Sequence, residues 1–274
     1  FTMSLENNGY HIVHSPLVKD ENGVWRMDFE DMEKKIVKNR IHAAVFCSPH
    51  NPCGRVWERW EIEKAMELYK KYDVFVISDE IWSDLTLEGH KHIPTQSVNE
   101  YAHEHTFAFY APSKTFNLAG LVGSYHIVYN SYLRDRLMEA EKCSHYNSAN
   151  VLSISALMGA YTKEGAEWVD ELREVLTQNV DYAYTYITTH FEGVSVAKAQ
   201  GTYMLYLDCS GWLKAHPEMT MDDLIRAGIA VGVVWQDGRP FMNPNTIRMN
   251  LAVPHALVTV SYTHLRAHET RRHL

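Results

Sequence analysis

The sequence predicts an α/β fold, with a mostly parallel sheet in a larger first domain and a smaller α+β domain after it. Three observations lead there. Short β-branched and aromatic runs near residues 42–47, 74–78 and 106–110 are separated by stretches long enough for crossover helices, the order of a covered parallel sheet. The run Val74-Phe75-Val76-Ile77 is continuously apolar rather than alternating, as a strand buried on both faces is. Beyond residue 131 the chain turns to long helical segments before further strands appear.

Taken in order, Ala43-Ala44-Val45-Phe46-Cys47 reads as a buried strand stopped by Ser48-Pro49-His50-Asn51-Pro52-Cys53-Gly54, whose prolines and glycine fix a tight loop. From Glu61 to Tyr72 the spacing is helical, with Ile62, Ala65, Met66 and Tyr69 on one face and a Glu/Lys face opposite. The strand over 74–78 runs into Ser78-Asp79-Glu80. The strand over 106–110 runs into Ala111-Pro112-Ser113-Lys114, and a further strand is predicted near 124–129. Helices are predicted over Tyr132–Lys142, Ala149–Tyr161 and Gly165–His190, with strands near Val194–Ala197 and Tyr203–Asp208. Residues 1–130 are thus assigned to the larger domain and 131–260 to interdomain helices and the smaller one. From Ser261 to Leu274 no amphipathic period is apparent, and residues 261–274 read as a non-native tail, with a genuine basic tail as the alternative.

Composition narrows the function classes. The chain has 274 residues, 46% of them hydrophobic, enough for a large core and more than one structural unit. A net charge of −8 argues against a nucleic-acid footprint or an anionic membrane surface as partner. No run approaches the roughly 20 apolar residues of a membrane span. Cys47, Cys53, Cys143 and Cys209 are too scattered for a disulfide framework, which favours the cytoplasm. His90-x-His92 and His103-x-His105 have same-face spacing if extended. No third ligand stands at fixed spacing, so loop histidines are expected and no metal.

Three polar groups fall at three successive strand ends, where open α/β sheets place their ligands. Each has an ordinary alternative: Asn51 can hold its own turn, Asp79 can cap a helix, and Ser113-Lys114-Thr115 can be a surface tripeptide. Together they are an amide, an acid and an amine, the groups pyridoxal phosphate requires. The amine forms a Schiff base, the carboxylate keeps the ring nitrogen protonated, and the amide tunes the imine from the ring hydroxyl.

In these motifs the chain resembles the fold-type I pyridoxal-phosphate enzymes of the class I/II aminotransferase superfamily. The pieces that match are Asn51-Pro52-x-Gly54, Ser78-Asp79-Glu80-Ile81 and Ser113-Lys114-Thr115-Phe116-x-Leu118-Ala119-Gly120-Leu121, in the family's order and spacing, and the resemblance covers roughly residues 1–258. It narrows to the C–S lyase branch, which holds cystathionine β-lyases, on Pro49-His50-Asn51-Pro52-x-Gly54-Arg55-Val56-Trp57, Gly89-His90-Lys91-His92-Ile93-Pro94 and Ala111-Pro112-Ser113-Lys114-Thr115-Phe116-Asn117. Val122 stands where ordinary aminotransferases carry a phosphate-binding arginine, which tilts the reading from transamination toward β-elimination.

The resemblance implies a three-layer aminotransferase-like large domain whose N-terminal part, with the glycine-rich phosphate loop and the ring-stacking aromatic, precedes Phe1. It implies a closing helix at the other end, a homodimer, and a regulatory protein partner as a further association. Lys114 is its cofactor-holding and catalytic lysine, and Asn51 and Asp79 bind the cofactor. Trp82, three places after Asp79, either reaches the ring hydroxyl or packs; Ser113 either bonds the phosphate or caps the next helix. Arg248, alternating with apolar residues in Asn245-Thr246-Ile247-Arg248-Met249, has the planar fork that captures an α-carboxylate, with pairing to a neighbouring acid as the alternative. The reading is a pyridoxal-phosphate C–S β-lyase that cleaves cystathionine or related cysteine S-conjugates to thiol, pyruvate and ammonia. A class I/II aminotransferase and a regulatory or inactive cofactor-binding fragment are the alternatives.

Overall fold

The computed structural model describes residues 1–144 and 148–271. A small antiparallel ribbon, β1 (Val18–Lys19) and β2 (Trp25–Arg26), leads into the helix Phe29–Asn39. Asp28 starts that helix by accepting the Asp31 amide at 3.0 Å, and Met32 and Ile36, one turn apart, are its buried residues. The main sheet holds β3 (Ala43–Cys47), β4 (Phe75–Asp79), β5 (Thr106–Tyr110) and β6 (Tyr125–Ile127) side by side in that order. The first three strands are parallel and β6 is antiparallel to β5, so the sheet is mixed and mostly parallel.

Strand alternation sorts the two faces of this sheet. Phe46, Val74 and Val76 pack with Ile62, Ala65 and Met66 of the helix Arg59–Lys71 and with Tyr101 and Ala102 of the helix Glu100–His105. Val45, Ile77 and Asp79 point to the other face, where Val45 keeps 37% of its surface exposed. The same parity puts Ser78 and Glu80, both at 0%, on the helix-covered face, beneath the strand whose tip carries Asp79.

The second unit is organised by the helix Lys163–His190. Its buried residues Leu176, Asn179, Val180, Ala183 and Ile187 recur at helical spacing and form one stripe. They pack on an antiparallel sheet of β7 (Ser195–Val196), β8 (Met204–Asp208), β9 (Gln236–Asp237) and β10 (Thr246–Asn250), in the order β7-β8-β10-β9. Asn179 is fully buried because its amide donates to the Leu251 and Val253 carbonyls, each at 2.9 Å, while its oxygen lies 2.9 Å from His255 Nδ1.

The helix His255–Arg271 runs on beyond residue 260, and Val258, Tyr262 and Leu265, at steps of four and three, pack on the second core. Tyr262 is at 0% exposure, its ring 5.1 Å from that of Tyr186 and 6.3 Å from that of Phe191. His103 and His105 are not loop residues; they end the helix Glu100–His105, stacked on Tyr129 at 4.1 Å and on Tyr101 at 4.0 Å. Among the described residues no group of three or more His, Cys, Asp or Glu could hold a metal ion, and no helix is long and apolar enough to cross a membrane.

Candidate active site

The carboxyl ends of β3, β4 and β5 bring Asn51, Asp79 and Lys114 to one edge of the sheet. The Asn51 loop is held from both sides. The Ser48 amide donates to the Asp79 carbonyl at 2.9 Å, and within the loop the Gly54 amide donates to the His50 carbonyl at 2.8 Å. Gly54 has φ +69, and a Cβ there would lie 2.7 Å from Ala199 Cβ, so only glycine lets the loop press against the second unit. Arg55, at 3% exposure, anchors the loop from behind through Nη2 to Glu61 Oε2 at 2.5 Å and Nε to the Trp25 carbonyl at 3.0 Å.

Asp79 is half-buried and accepts the Ile81 amide on Oδ1 at 3.2 Å. Burial pushes its carboxyl above the ordinary carboxylate value, with the charge of Glu80 adding to the push, while the Ile81 amide and the Lys114 ammonium pull against it. Lys114 sits in the single helical turn Pro112–Thr115, with Thr115 Oγ1 donating to Asp84 at 2.9 Å and Tyr161 donating to the same oxygen at 3.1 Å. Its Nζ lies 5.7 Å from the centre of the Trp82 ring. Trp82 is 2% exposed and meets Tyr203 edge-on at 4.8 Å, so it packs and offers its ring to the lysine. Ser113 lies inside the helical turn, whose N-cap is Ala111, and caps no helix.

Arg248 arrives from the other unit, on β10. Its Nη1 donates to Asn51 Oδ1 at 2.8 Å, which joins the two predicted site residues directly across the two units. Nη2 donates to Gln236 Oε1, Phe241 lies under the guanidinium at 4.8 Å, and Nε is buried without a hydrogen-bond partner. Among the described residues its side-chain hydrogen-bond partners are neutral amides and not an acid. Burial shifts the guanidinium down from its ordinary value. A carboxylate would give this orphan N–H an acceptor.

Sequence reasoning missed several neighbours. Gln236 had no motif to mark it, and only its register opposite Arg248 reveals it. Glu80 and His92 were quoted inside motifs without a role, although an acid directly after Asp79 in a buried run was a usable signal. A cavity of about 380 Å³ lies elsewhere, lined by Trp25, Arg55, His90 and Gln200 among others; none of the predicted site residues lines it.

An amine, a carboxylate, an amide and a guanidinium therefore converge from four strand ends or strands, and the sequence family is decided by comparison. The pattern of the family described as Aminotransferase class I and II matches residues 1–264. This chain belongs to that family. It is 36% identical over 212 residues to the cystathionine beta-lyase PatB of Bacillus subtilis, covering 77% of this chain and 54% of that protein. It is 33% identical over 209 residues to protein MalY of Escherichia coli, covering 76% and 52% respectively. The chain thus spans about half the length of these curated relatives. Among solved structures, cystalysin from Treponema denticola, which contains pyridoxal 5'-phosphate, superposes with a TM-score of 0.90 at 28% identity, over 99% of this chain and 68% of that one. The pyridoxal-phosphate-bound C–S lyase from Staphylococcus hominis gives 0.87 at 28% identity, over 97% and 68%. The fold is that of the fold-type I pyridoxal-phosphate enzymes.

Proposed function

We propose that this protein is a pyridoxal-phosphate C–S β-lyase acting on a small amino acid such as cystathionine or a related cysteine S-conjugate. The observation that carries the reading is the convergence of Lys114, Asp79, Asn51 and Arg248 at one sheet edge, in a chain whose relatives include cystathionine β-lyases and C–S lyases.

The donor set fits the cofactor. Lys114 is an amine contacting a ring rather than an acid among the described residues, and Asp79 is a carboxylate at the end of a central strand. Asn51 offers an amide N–H while its oxygen is already used by Arg248. Pyridoxal phosphate, when bound, supplies a ring that withdraws electron density from the substrate Cα. The residues of the chain do the rest. Lys114 would hold the cofactor by its Nζ and, as a free amine, would take the substrate's Cα proton. Asp79 would hold a proton at the ring nitrogen, and Asn51 would offer its amide N–H to the ring hydroxyl. Arg248 fixes the substrate by its α-carboxylate, placing the Cα–H where Lys114 can reach it. Loss of that proton and of the thiolate from Cβ, then hydrolysis, gives thiol, pyruvate and ammonia. Trp82 bounds the pocket beneath the lysine, and Ser113 is kept as a phosphate ligand in this reading.

The test is turnover of cystathionine. Equal release of thiol and pyruvate, abolished in Lys114→Ala, supports the lyase; amino transfer to a 2-oxo acid without pyruvate release supports the aminotransferase instead. Cofactor binding with neither reaction supports a binding module with a regulatory partner.

A homodimer belongs to the same proposal. The helix Val151–Ala160 is apolar nearly all round, yet Val151, Leu152 and Met158 are 75%, 68% and 70% exposed. So large an uncovered apolar stretch is characteristic of an interface. Four free cysteines fit a reducing compartment, and we place the protein in the cytoplasm.

A further inference from the structure

We propose that Glu80, held as a buried anion by Ser78, His92, Thr95 and Tyr110, is a positioning residue that sets the basicity of Asp79. The inference rests on the cofactor reading above and adds to it a residue that faces away from the pocket.

The geometry is that of a filled anion site. Glu80 is at 0% exposure, and all of its acceptor capacity is used. On Oε1 it takes the Ser78 hydroxyl at 2.9 Å and the Thr95 amide at 3.1 Å; on Oε2 it takes the Tyr110 hydroxyl at 2.8 Å and His92 Nε2 at 2.6 Å. Ser78 and Thr95 also share a hydrogen bond at 2.9 Å, closing the network between strand and loop. Donors on every side stabilise a carboxylate and would clash with a neutral acid's own proton. Burial alone would push Glu80 upward, but the bonds from His92, Tyr110 and Ser78 outweigh it and hold the group below its ordinary value. Tyr110, by contrast, is pushed up by burial and by the Glu80 charge, so it stays a donor.

No lysine or arginine forms an ion pair with Glu80 among the described residues; His92 is its one ionisable partner of opposite type. The field of this anion is therefore felt by its neighbour in the chain. Strand parity turns Ser78 and Glu80 toward the helix layer and Asp79 toward the pocket, so the two carboxyl groups do not touch. They still interact through the low-dielectric strand end, and the Glu80 charge is among the causes that raise Asp79. Among the described residues, the groups that act on Asp79 besides Glu80 are the Ile81 amide, the Lys114 ammonium and the amino group of Phe1, with the Cys47 thiol next to it on β3. A carboxylate made more basic holds a proton on an adjacent ring nitrogen more firmly. Glu80 thus adds to the burial that already raises Asp79.

The experiment loads the protein with pyridoxal phosphate isotope-labelled at the ring nitrogen and follows that nitrogen by NMR between about pH 6 and pH 10. Glu80→Gln is expected to lower the titration midpoint of the ring nitrogen by about one unit, the size of a near like-charge interaction. His92→Gln keeps a donor on Glu80 and leaves the anion in place, so its midpoint is expected to stay within a few tenths of a unit of the parent. Should Glu80→Gln fail to fold, Glu80→Asp with its shorter, displaced charge provides the test, with a smaller shift in the same direction. A folded, loaded variant whose midpoint does not move overturns the inference. A parent protein that retains no labelled cofactor, or retains it equally in Lys114→Ala, overturns the cofactor reading instead.

Discussion

Replacing Arg248 by lysine is the perturbation that most cleanly separates a binding fork from a mere charge. The arginine is half-buried, tied to Asn51 Oδ1 at 2.8 Å and to Gln236, and its Nε is a buried donor with nothing to bond. A substrate carboxylate seated on this fork gains two charge-assisted hydrogen bonds, each contributing about 1.5–3 kcal/mol. Lysine preserves the charge and at best one of the bonds. It also leaves Asn51 with a less well-placed donor. The net loss is about 2–3 kcal/mol, which is about a 30- to 150-fold fall in kcat/KM at about 1.4 kcal/mol per decade. The assay is pyruvate release from cystathionine across substrate concentrations, with thermal unfolding run in parallel. The loss is expected mainly in KM, because the carboxylate is held equally in ground and transition states. An Arg248→Lys protein with native unfolding temperature and a kcat/KM within about threefold of the parent would refute the assignment of the carboxylate to this residue.

Further outcomes follow from the core and from buried ionisable groups. Tyr262→Ala removes a ring at 0% exposure from the cluster around Tyr186 and Phe191, and should cost about 3–5 kcal/mol in urea unfolding. Tyr262→Phe, which loses only the hydroxyl near Met249 Sδ at 3.8 Å, should cost under about 1 kcal/mol; equal stability of all three proteins would mean the closing helix is not packed as described. Burial holds the His50 imidazole down at about 4, against 6.5 when unperturbed. Between those values the unfolded chain takes up a proton that the native one does not, so stability falls as the pH drops through this window, by up to about 3 kcal/mol. Urea midpoints of parent and His50→Gln, compared at pH 7 and pH 5, should show a steeper acid loss in the parent.

The parallel strands and the three residues at their tips were legible because their signals are local. A continuous apolar run that ends in Asp79, or in Ala111-Pro112-Ser113-Lys114, states both the strand and its end. The helix Phe29–Asn39 was missed although Asp28, an acidic first turn and the pair Met32 and Ile36 signal it; only its stop lacks a signal, the C-cap being Arg40 at φ 50 rather than a glycine. The helix beyond residue 260 was missed for a different reason. Its burial depends on Tyr262 meeting Tyr182 and Tyr186 of a distant helix, with Val258 and Leu265 in the same cluster, and a histidine- and threonine-rich segment hides those three positions. The contact between Arg248 and Asn51 joins residues 197 positions apart and arises only when the two units pack. Glu80 was in plain view beside Asp79, but its partners His92, Thr95 and Tyr110 come from two other elements, so its role could only be seen in three dimensions.

The central claim is that Lys114 holds pyridoxal phosphate. Borohydride reduction of the cofactor-loaded protein, followed by peptide mass spectrometry, tests it most directly, since reduction makes the lysine–cofactor bond permanent. The account predicts a phosphopyridoxyl group on the peptide that contains Lys114 and on no other. A cofactor label on a different lysine, or an unlabelled Lys114 peptide from a protein that still releases pyruvate from cystathionine, would contradict it.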